Sequence, residues 1–192
     1  KSSLILRSRL DTLYTEFDAE HSVSDPVWMV HRYKGTADRE VVACIASALA
    51  FGRVQSVLNS IEGMLAVMGS SPPAFVRDFE PAKDRDRFKH LVHRWTNGAD
   101  FAALVWILRQ MIDRRGSIED FFVEGLAGDA VDVGEALQSF LTPALALDAA
   151  EVYGRKRPKP GVAYFFSRPS SGGACKRLNL FLRWMVREDR VD

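Results

Sequence analysis

The sequence has few cysteines, and their placement argues against two common ways of stabilising a small protein. Cys44 and Cys175 are the two cysteines among 192 residues, and neither forms a CxxC pair or lies at zinc spacing from a histidine. Both fall inside apolar helical patterns, which indicates reduced thiols packed in a core rather than a disulfide scaffold or a metal site. His90 and His93 have no third ligand near them in the sequence, so neither a metal nor a cofactor is expected.

An excess of one charge is also absent. Lysine and arginine total 26, aspartate and glutamate total 25, and the formal net charge is +1. A protein with this balance can bind nucleic acid only through a local basic patch. No apolar run reaches about 18 residues, and no N-terminal signal pattern is present. We therefore expect a cytoplasmic protein without a membrane segment.

Apolar residues recur at helical spacing along almost the whole chain, whereas the alternation typical of strands is missing. The pattern predicts one all-α domain over residues 1–192, with about eight to ten helices joined by short turns. The clearest predicted helices cover residues 4–17, 39–50, 54–68, 99–114 and 174–187. Helix 39–50 is almost entirely apolar and should be central and buried. Gly52 is suited to end it.

Lys176 is the most unusual residue of the sequence. It lies in the first turn of the last predicted helix, three residues after Gly173. A helix N-terminus carries partial positive charge, so a lysine there is electrostatically unfavourable. One interpretation is a solvated lysine on the polar edge of the helix. The other is that the helix N-terminus and partial desolvation disfavour the ammonium form, leaving an amine able to form a Schiff base.

Several segments resemble a known family. The stretches "DPVWMVHRY", "DREVVACIASALAFGRVQSVL" and "SGGACKRLNLFLRWMVREDRVD" are similar to the DUF2400 family of bacterial proteins, and the similarity covers nearly the whole chain. Residues 164–187 also resemble the helix–hairpin–helix segment of the DNA glycosylase superfamily, with "PSSGG" as the hairpin. This second resemblance implies a helical domain of the DNA glycosylase type.

The superfamily resemblance assigns roles around the hairpin. In lyase-active members, a lysine that opens the second hairpin helix attacks the sugar C1′ of a flipped nucleotide, and Lys176 matches that position. Leu180, one turn later, matches a residue that lies against the flipped base. Backbone amides of the hairpin hold a DNA phosphate in the superfamily. The residues expected to bind DNA in this segment are Ser171, Gly172, Gly173 and Arg177.

A second element, "ALAFGRVQSVL", resembles the superfamily's helix–loop–helix that probes the gap left in the duplex. Phe51, Arg53 and Gln55 are therefore candidate wedge and probe residues. Phe51 is equally well explained as a core aromatic, and Arg53 and Gln55 as the solvated start of a helix. The basic stretch "GRKRPKP" at 154–160 is a further candidate for holding the DNA backbone.

The resemblance also implies an acid that the sequence does not contain. The superfamily has a catalytic aspartate shortly after the lysine-bearing helix, in a segment that reads like "DTH" in this family. The sequence ends at Asp192, before such a segment, and Asp189 lies too close to the helix for the role. We therefore expect the chain to lack its native C-terminal part, and the longer protein to be the active form.

Together these features predict a base-excision-repair glycosylase with AP-lyase activity. It would act as a monomer on double-stranded DNA that carries a damaged base, an oxidised purine by analogy with lysine-bearing members. Two alternatives stay open: a non-catalytic binder of bent, mismatched or abasic DNA, and a helical domain that binds other proteins. Only the glycosylase requires the Lys176 amine. The protein-binding domain predicts no salt-sensitive DNA binding.

Overall fold

The computed structural model describes residues 2–17, 19–126 and 128–187. Helices make up 71% of the chain, which confirms the predicted all-α class. The α-helices in the described ranges are α1 (Ser2–Glu16), α2 (Val27–His31), α3 (Thr36–Leu49), α4 (Val54–Met68), α5 (Pro72–Asp78), α6 (Pro81–Asp84), α7 (Gly98–Arg115), α8 (Ile118–Val123), α9 (Gly134–Ala146), α10 (Ala150–Tyr153), α11 (Pro160–Ala163) and α12 (Lys176–Val186).

A small antiparallel hairpin interrupts the helical pattern before α7. It pairs β1 (Val92–His93) with β2 (Thr96–Asn97). The residue pattern does not predict this hairpin, because strands of two residues are too short to show alternation. Asn97, at the end of β2, caps α7: its side chain accepts from the Ala99 amide at 3.0 Å, and its own amide donates to Asp100 at 3.0 Å. The hairpin is thereby fixed to a long core helix.

The core forms around α3, as its composition predicted. Residues 40–49 of this helix are all buried, and α3 contacts α2, α4, α5, α8 and α12. Its alanines let neighbouring helices approach closely, since a methyl group fills little space. The helix ends at Leu49, and the chain then turns at Gly52, whose φ of 105° is unfavourable for any other residue. The turn leaves Phe51 at the edge of the core.

The last helix, α12, packs against α3 through one face. Leu178, Phe181 and Trp184 are buried, while Leu182 and Met185 are only half-buried. Lys176, at the first position of the helix, is exposed. Helix α12 therefore places its first residue, Lys176, near the end of the central helix α3.

Helix α1 forms where its periodicity predicted a helix, but its apolar side chains do not join the core. They are between 48% and 71% exposed. These residues are Leu4, Ile5, Leu6, Leu10, Leu13, Tyr14 and Phe17. Within the described ranges, no helix combines the length and the apolar character needed to cross a membrane.

Candidate functional site

A cleft of about 280 Å³ opens beside the N-terminal end of α12. We call it the lysine cleft, because Lys176 is among its lining residues. The lining comes from three segments that are distant in sequence: residues 50–51 after α3, residues 164–167, and residues 173–178. The fold thus brings four of the predicted site residues, Phe51, Gly173, Lys176 and Arg177, to the same cleft.

An unusual backbone turn leads into Lys176. Gly172 has a φ of 74°, and Cys175, directly before the helix, has a φ of 48°. A left-handed conformation costs about 1–2 kcal/mol for a residue that is not glycine. The Cys175 thiol donates to the Ser167 carbonyl at 3.1 Å, which helps to hold this geometry, and burial raises the pKa of the thiol. The result is an abrupt helix start at Lys176.

The hairpin amides are already bonded within the turn. The Ser171 amide donates to the Arg168 carbonyl at 3.1 Å, the Gly172 amide to Pro169 at 2.9 Å and the Gly173 amide to Arg168 at 3.3 Å. These are the donors that the sequence assigned to a phosphate. The first amide of α12 that donates to a preceding carbonyl is that of Asn179, which bonds to the Cys175 carbonyl. Within the described ranges the amides of residues 176–178 have no acceptor, as expected for the first turn of a helix.

Lys176 is accessible from solvent. Its side chain is exposed, which fits the solvated lysine that the sequence left open and not the partial desolvation of the other interpretation. Among the described residues, no carboxylate lies within ion-pair distance of its amine, and none lines the lysine cleft. The amine therefore has no partner within that part of the chain.

Arg177, one residue later, is bonded inside the protein. Its guanidinium donates to the Ala48 carbonyl at 3.3 Å and to the Tyr164 carbonyl. It also lies 4.0 Å from the ring centre of Tyr164 and 5.2 Å from that of Phe51. Burial lowers the pKa of this guanidinium. These bonds tie α12 to the end of α3. The role of Arg177 as a DNA contact stays a prediction.

Three aromatic rings meet at the edge of the lysine cleft. Phe51, Trp95 and Tyr164, here called the aromatic cluster, have ring centres 4.9–5.2 Å apart. Phe51 is half-buried. Its exposure is intermediate between that expected for a wedge residue and that expected for a core aromatic, the two roles that the sequence left open. The sequence missed Trp95 and Tyr164, because only the folded chain places the hairpin and residue 164 beside Phe51.

His93 supports Phe51 from within the core. Its Nε2 donates to the Phe51 carbonyl and its Nδ1 lies against the Ser60 hydroxyl, each at 3.0 Å. A carbonyl can only accept, so Nε2 carries the proton, and in the neutral ring Nδ1 is an acceptor. The Ser60 hydroxyl has a single proton, and it also donates to the Ser56 carbonyl at 2.8 Å. Burial lowers the pKa of His93, which favours this neutral form. Since His90 is exposed and both His93 nitrogens are bonded, the two histidines do not form a ligand pair.

Leu180 lies in a different cleft from Lys176. This leucine cleft, about 210 Å³, shares Ala50 and Phe51 with the lysine cleft. Its remaining lining residues are Asp25, Pro26, Gly52, Val54, Val57, Leu180 and Trp184. The predicted base-contacting residue and the predicted nucleophile therefore do not line one pocket.

The other predicted probe residues are exposed at the start of α4. Arg53 is the N-cap residue of this helix, and Gln55 donates to Asn59 within it at 3.0 Å. Neither lines the lysine cleft or the leucine cleft. Both fit the solvated helix start that the sequence left open, and their role in DNA binding stays a prediction.

A basic cleft lies next to the hairpin. It has a volume of about 620 Å³ and contains Lys156, Arg157 and Arg168 among its lining residues, with no acidic side chain. The Lys156 carbonyl accepts from the Ala149 amide at 2.9 Å, which closes the loop that carries these cations. Part of the basic stretch 154–160 thus faces the same cleft as Arg168, directly before the hairpin.

The comparisons with known proteins give a family and no activity. A family model described as "Protein of unknown function (DUF2400)" matches residues 25–192. The matched span includes the three clefts described above and the aromatic cluster, and it begins after α1. No curated protein and no solved structure matches the chain.

Proposed function

Since the chain belongs to the DUF2400 family, whose description assigns no reaction, we propose its function from the geometry of the lysine cleft. The protein is a DNA glycosylase with associated AP-lyase activity, and the amine of Lys176 is its nucleophile. The observation that carries the proposal is an exposed lysine without a described partner at the first position of α12, beside free helix amides.

The proposed reaction needs an amine that can reach a sugar carbon. The amine attacks C1′ of the damaged nucleotide, the C1′–N bond breaks, and the base leaves with the electron pair and takes up a proton. Opening of the sugar ring gives a Schiff base between Lys176 and C1′. Removal of a C2′ proton then breaks the C3′–O bond, and the 3′ phosphate leaves. The resemblance of residues 164–187 to the helix–hairpin–helix segment of DNA glycosylases supports this chemistry.

Charge on the same side of the protein supports DNA as the partner. The free amides of residues 176–178 and the positive end of α12 favour a phosphate group. The basic cleft adds Lys156, Arg157 and Arg168, which carry no described ion pair. Neutralising phosphates with such side chains gives an affinity that falls with salt concentration.

Strand cleavage tests the proposal. One duplex contains an abasic site, and a second contains an oxidised purine, the base suggested by the superfamily resemblance. The protein should cleave both, and Lys176→Gln should cleave neither faster than the DNA breaks alone. Lys89→Gln removes an exposed lysine outside the lysine cleft and should cleave like the unchanged protein. Equal cleavage by Lys176→Gln would show that the nucleophile is another group.

One observation favours a second candidate function. No carboxylate lines the lysine cleft in the described part of the chain, although base removal and elimination both require proton transfer. The same surface would then bind bent, mismatched or abasic DNA without reacting. In that case Lys176→Gln should keep the affinity for abasic duplex within about twofold, and neither protein should release a base or break the strand.

A further inference from the structure

The aromatic cluster exposes a ring that the proposed chemistry does not use. Trp95 is 54% exposed and Tyr164 is 38% exposed. Trp28, Trp106 and Trp184, the other tryptophans, are half-buried or buried. The indole N–H of Trp106 donates to a carbonyl at 2.9 Å, while that of Trp95 has no acceptor within the described ranges. Trp95 thus presents both an apolar surface and a free donor to solvent.

The hairpin holds Trp95 in place. The turn between β1 and β2 contains Arg94 with a φ of 58°, a conformation that glycine or asparagine would adopt more easily. Thr96 donates to the His93 carbonyl at 2.7 Å across this turn, and Asn97 caps α7 as described above. An exposed tryptophan on a turn with these anchors is pre-oriented, so little side-chain freedom is lost when a ligand binds it.

Trp95 has three neighbouring side chains and still keeps about half of its surface exposed. Phe51 lies 5.1 Å away at an interplanar angle of 31°, which is close to a stacked arrangement on one side. Tyr164 meets Trp95 edge-on, at 4.9 Å and 81°. The Arg94 guanidinium lies over the Trp95 ring, 6.0 Å from its centre, and adds a cation beside the exposed surface. This surface suits a planar aromatic group that carries a negative charge nearby.

We propose that Trp95 and Tyr164 form a stacking site for an unpaired nucleobase next to the nucleotide at Lys176. The inference rests on the proposed DNA function, because Phe51 and Tyr164 line the lysine cleft and so connect the two places. A paired base inside an intact duplex has both faces covered by its neighbours, whereas an unpaired base can leave the stack and place its face on a protein ring. The preferred substrate is therefore DNA whose bases are unpaired beside the reacting nucleotide.

Fluorescence anisotropy with two labelled duplexes tests this preference. Both contain a stable abasic analogue that cannot react, and one has two mismatched base pairs directly beside it. Stacking of a base on an aromatic side chain predicts about tenfold tighter binding of the mismatched duplex. Trp95→Ala should remove this preference, and Trp95→Phe should retain most of it. Val92→Ala, at an exposed position of the same hairpin, should leave it unchanged.

The outcomes separate this inference from the chemistry of Lys176. A preference that persists in Lys176→Gln and disappears in Trp95→Ala supports the stacking site, whether or not a Schiff base forms. Equal affinity of the protein for both duplexes would overturn it, even if the abasic strand is cleaved. An undiminished preference in Trp95→Ala, or the absence of DNA binding, would overturn it as well.

Discussion

The lysine cleft and the leucine cleft share Ala50 and Phe51 but offer different chemistry. The first contains an exposed amine and free helix amides, and the second is lined almost entirely by apolar side chains. Lys176 and Leu180 are one helical turn apart on α12, a spacing that places side chains on the same face. They nevertheless line different clefts, because the chain after α3 lies against this face. Helix spacing alone therefore does not define a pocket.

This difference suggests that the leucine cleft contributes to stability and the lysine cleft to chemistry. Trp184 lines the leucine cleft and is 5% exposed. Replacing Trp184 with alanine should lower the free energy of unfolding by about 3–5 kcal/mol, since a large buried ring is lost. Lys176→Gln should change it by less than about 0.5 kcal/mol, as expected for an exposed side chain. Denaturant unfolding measures both, and similar losses in the two variants would remove the distinction.

Arg177 connects the two regions. Arg177→Ala removes charged hydrogen bonds to the carbonyls of Ala48 and Tyr164, and should cost about 2–3 kcal/mol of unfolding free energy. Arg177→Lys should recover only part of this, because an ammonium cannot donate in the same fork or stack on the rings. Unfolding curves of the two variants give the comparison. Full recovery by lysine would mean that only the positive charge matters.

Gly52 shapes the segment that both clefts share. Its φ of 105° is unfavourable for alanine, and the added methyl carbon would lie 3.4 Å from the Arg94 side chain. Gly52→Ala should therefore cost about 1–2 kcal/mol of unfolding free energy. Gly69→Ala at the end of α4 should cost a similar amount, because its φ is also positive and the distance of 3.4 Å at Gly52 is an ordinary van der Waals contact. A clearly larger loss at Gly52 would show that the contact with Arg94 adds to the backbone strain.

His93 should make the support of Phe51 sensitive to pH. Burial lowers the pKa of His93 in the folded protein below its ordinary value near 6.5. The unfolded chain then binds a proton first as the pH falls, so folding stability is full above about pH 6.5 and decreases below it. Thermal unfolding between pH 7.5 and 5 should show a steeper loss for the unchanged protein than for His93→Gln. Parallel curves would mean that His93 does not contribute.

The sequence predicted the main helices more reliably than the site. Helices α3, α4 and α7 have strong apolar periodicity and clear ends, such as Gly52. Helix α1 has similar periodicity, yet its apolar side chains remain exposed, because periodicity indicates a helix but not a partner for it. Lys176 was found because a lysine is unfavourable at a helix start.

The remaining parts of the site depend on contacts between distant segments. Trp95 follows a turn between strands too short to recognise, and Tyr164 has no local pattern that marks it. Arg177 looked like a DNA contact, because its bond to Ala48 joins two helices far apart in sequence. Gly172 and Gly173 looked like phosphate donors, because the bonds of their amides depend on how the turn closes. Residue type and spacing do not determine such contacts.

Borohydride trapping on abasic duplex DNA tests the central claim most directly. Borohydride reduces a Schiff base to a stable amine, so a nucleophilic lysine becomes covalently joined to the DNA. The protein and Lys89→Gln should each give a covalent complex on a denaturing gel, mass spectrometry of the digested complex should locate the adduct at Lys176, and Lys176→Gln should give none. An equal yield from Lys176→Gln, or an adduct at another residue, would contradict the assignment of Lys176 as the nucleophile.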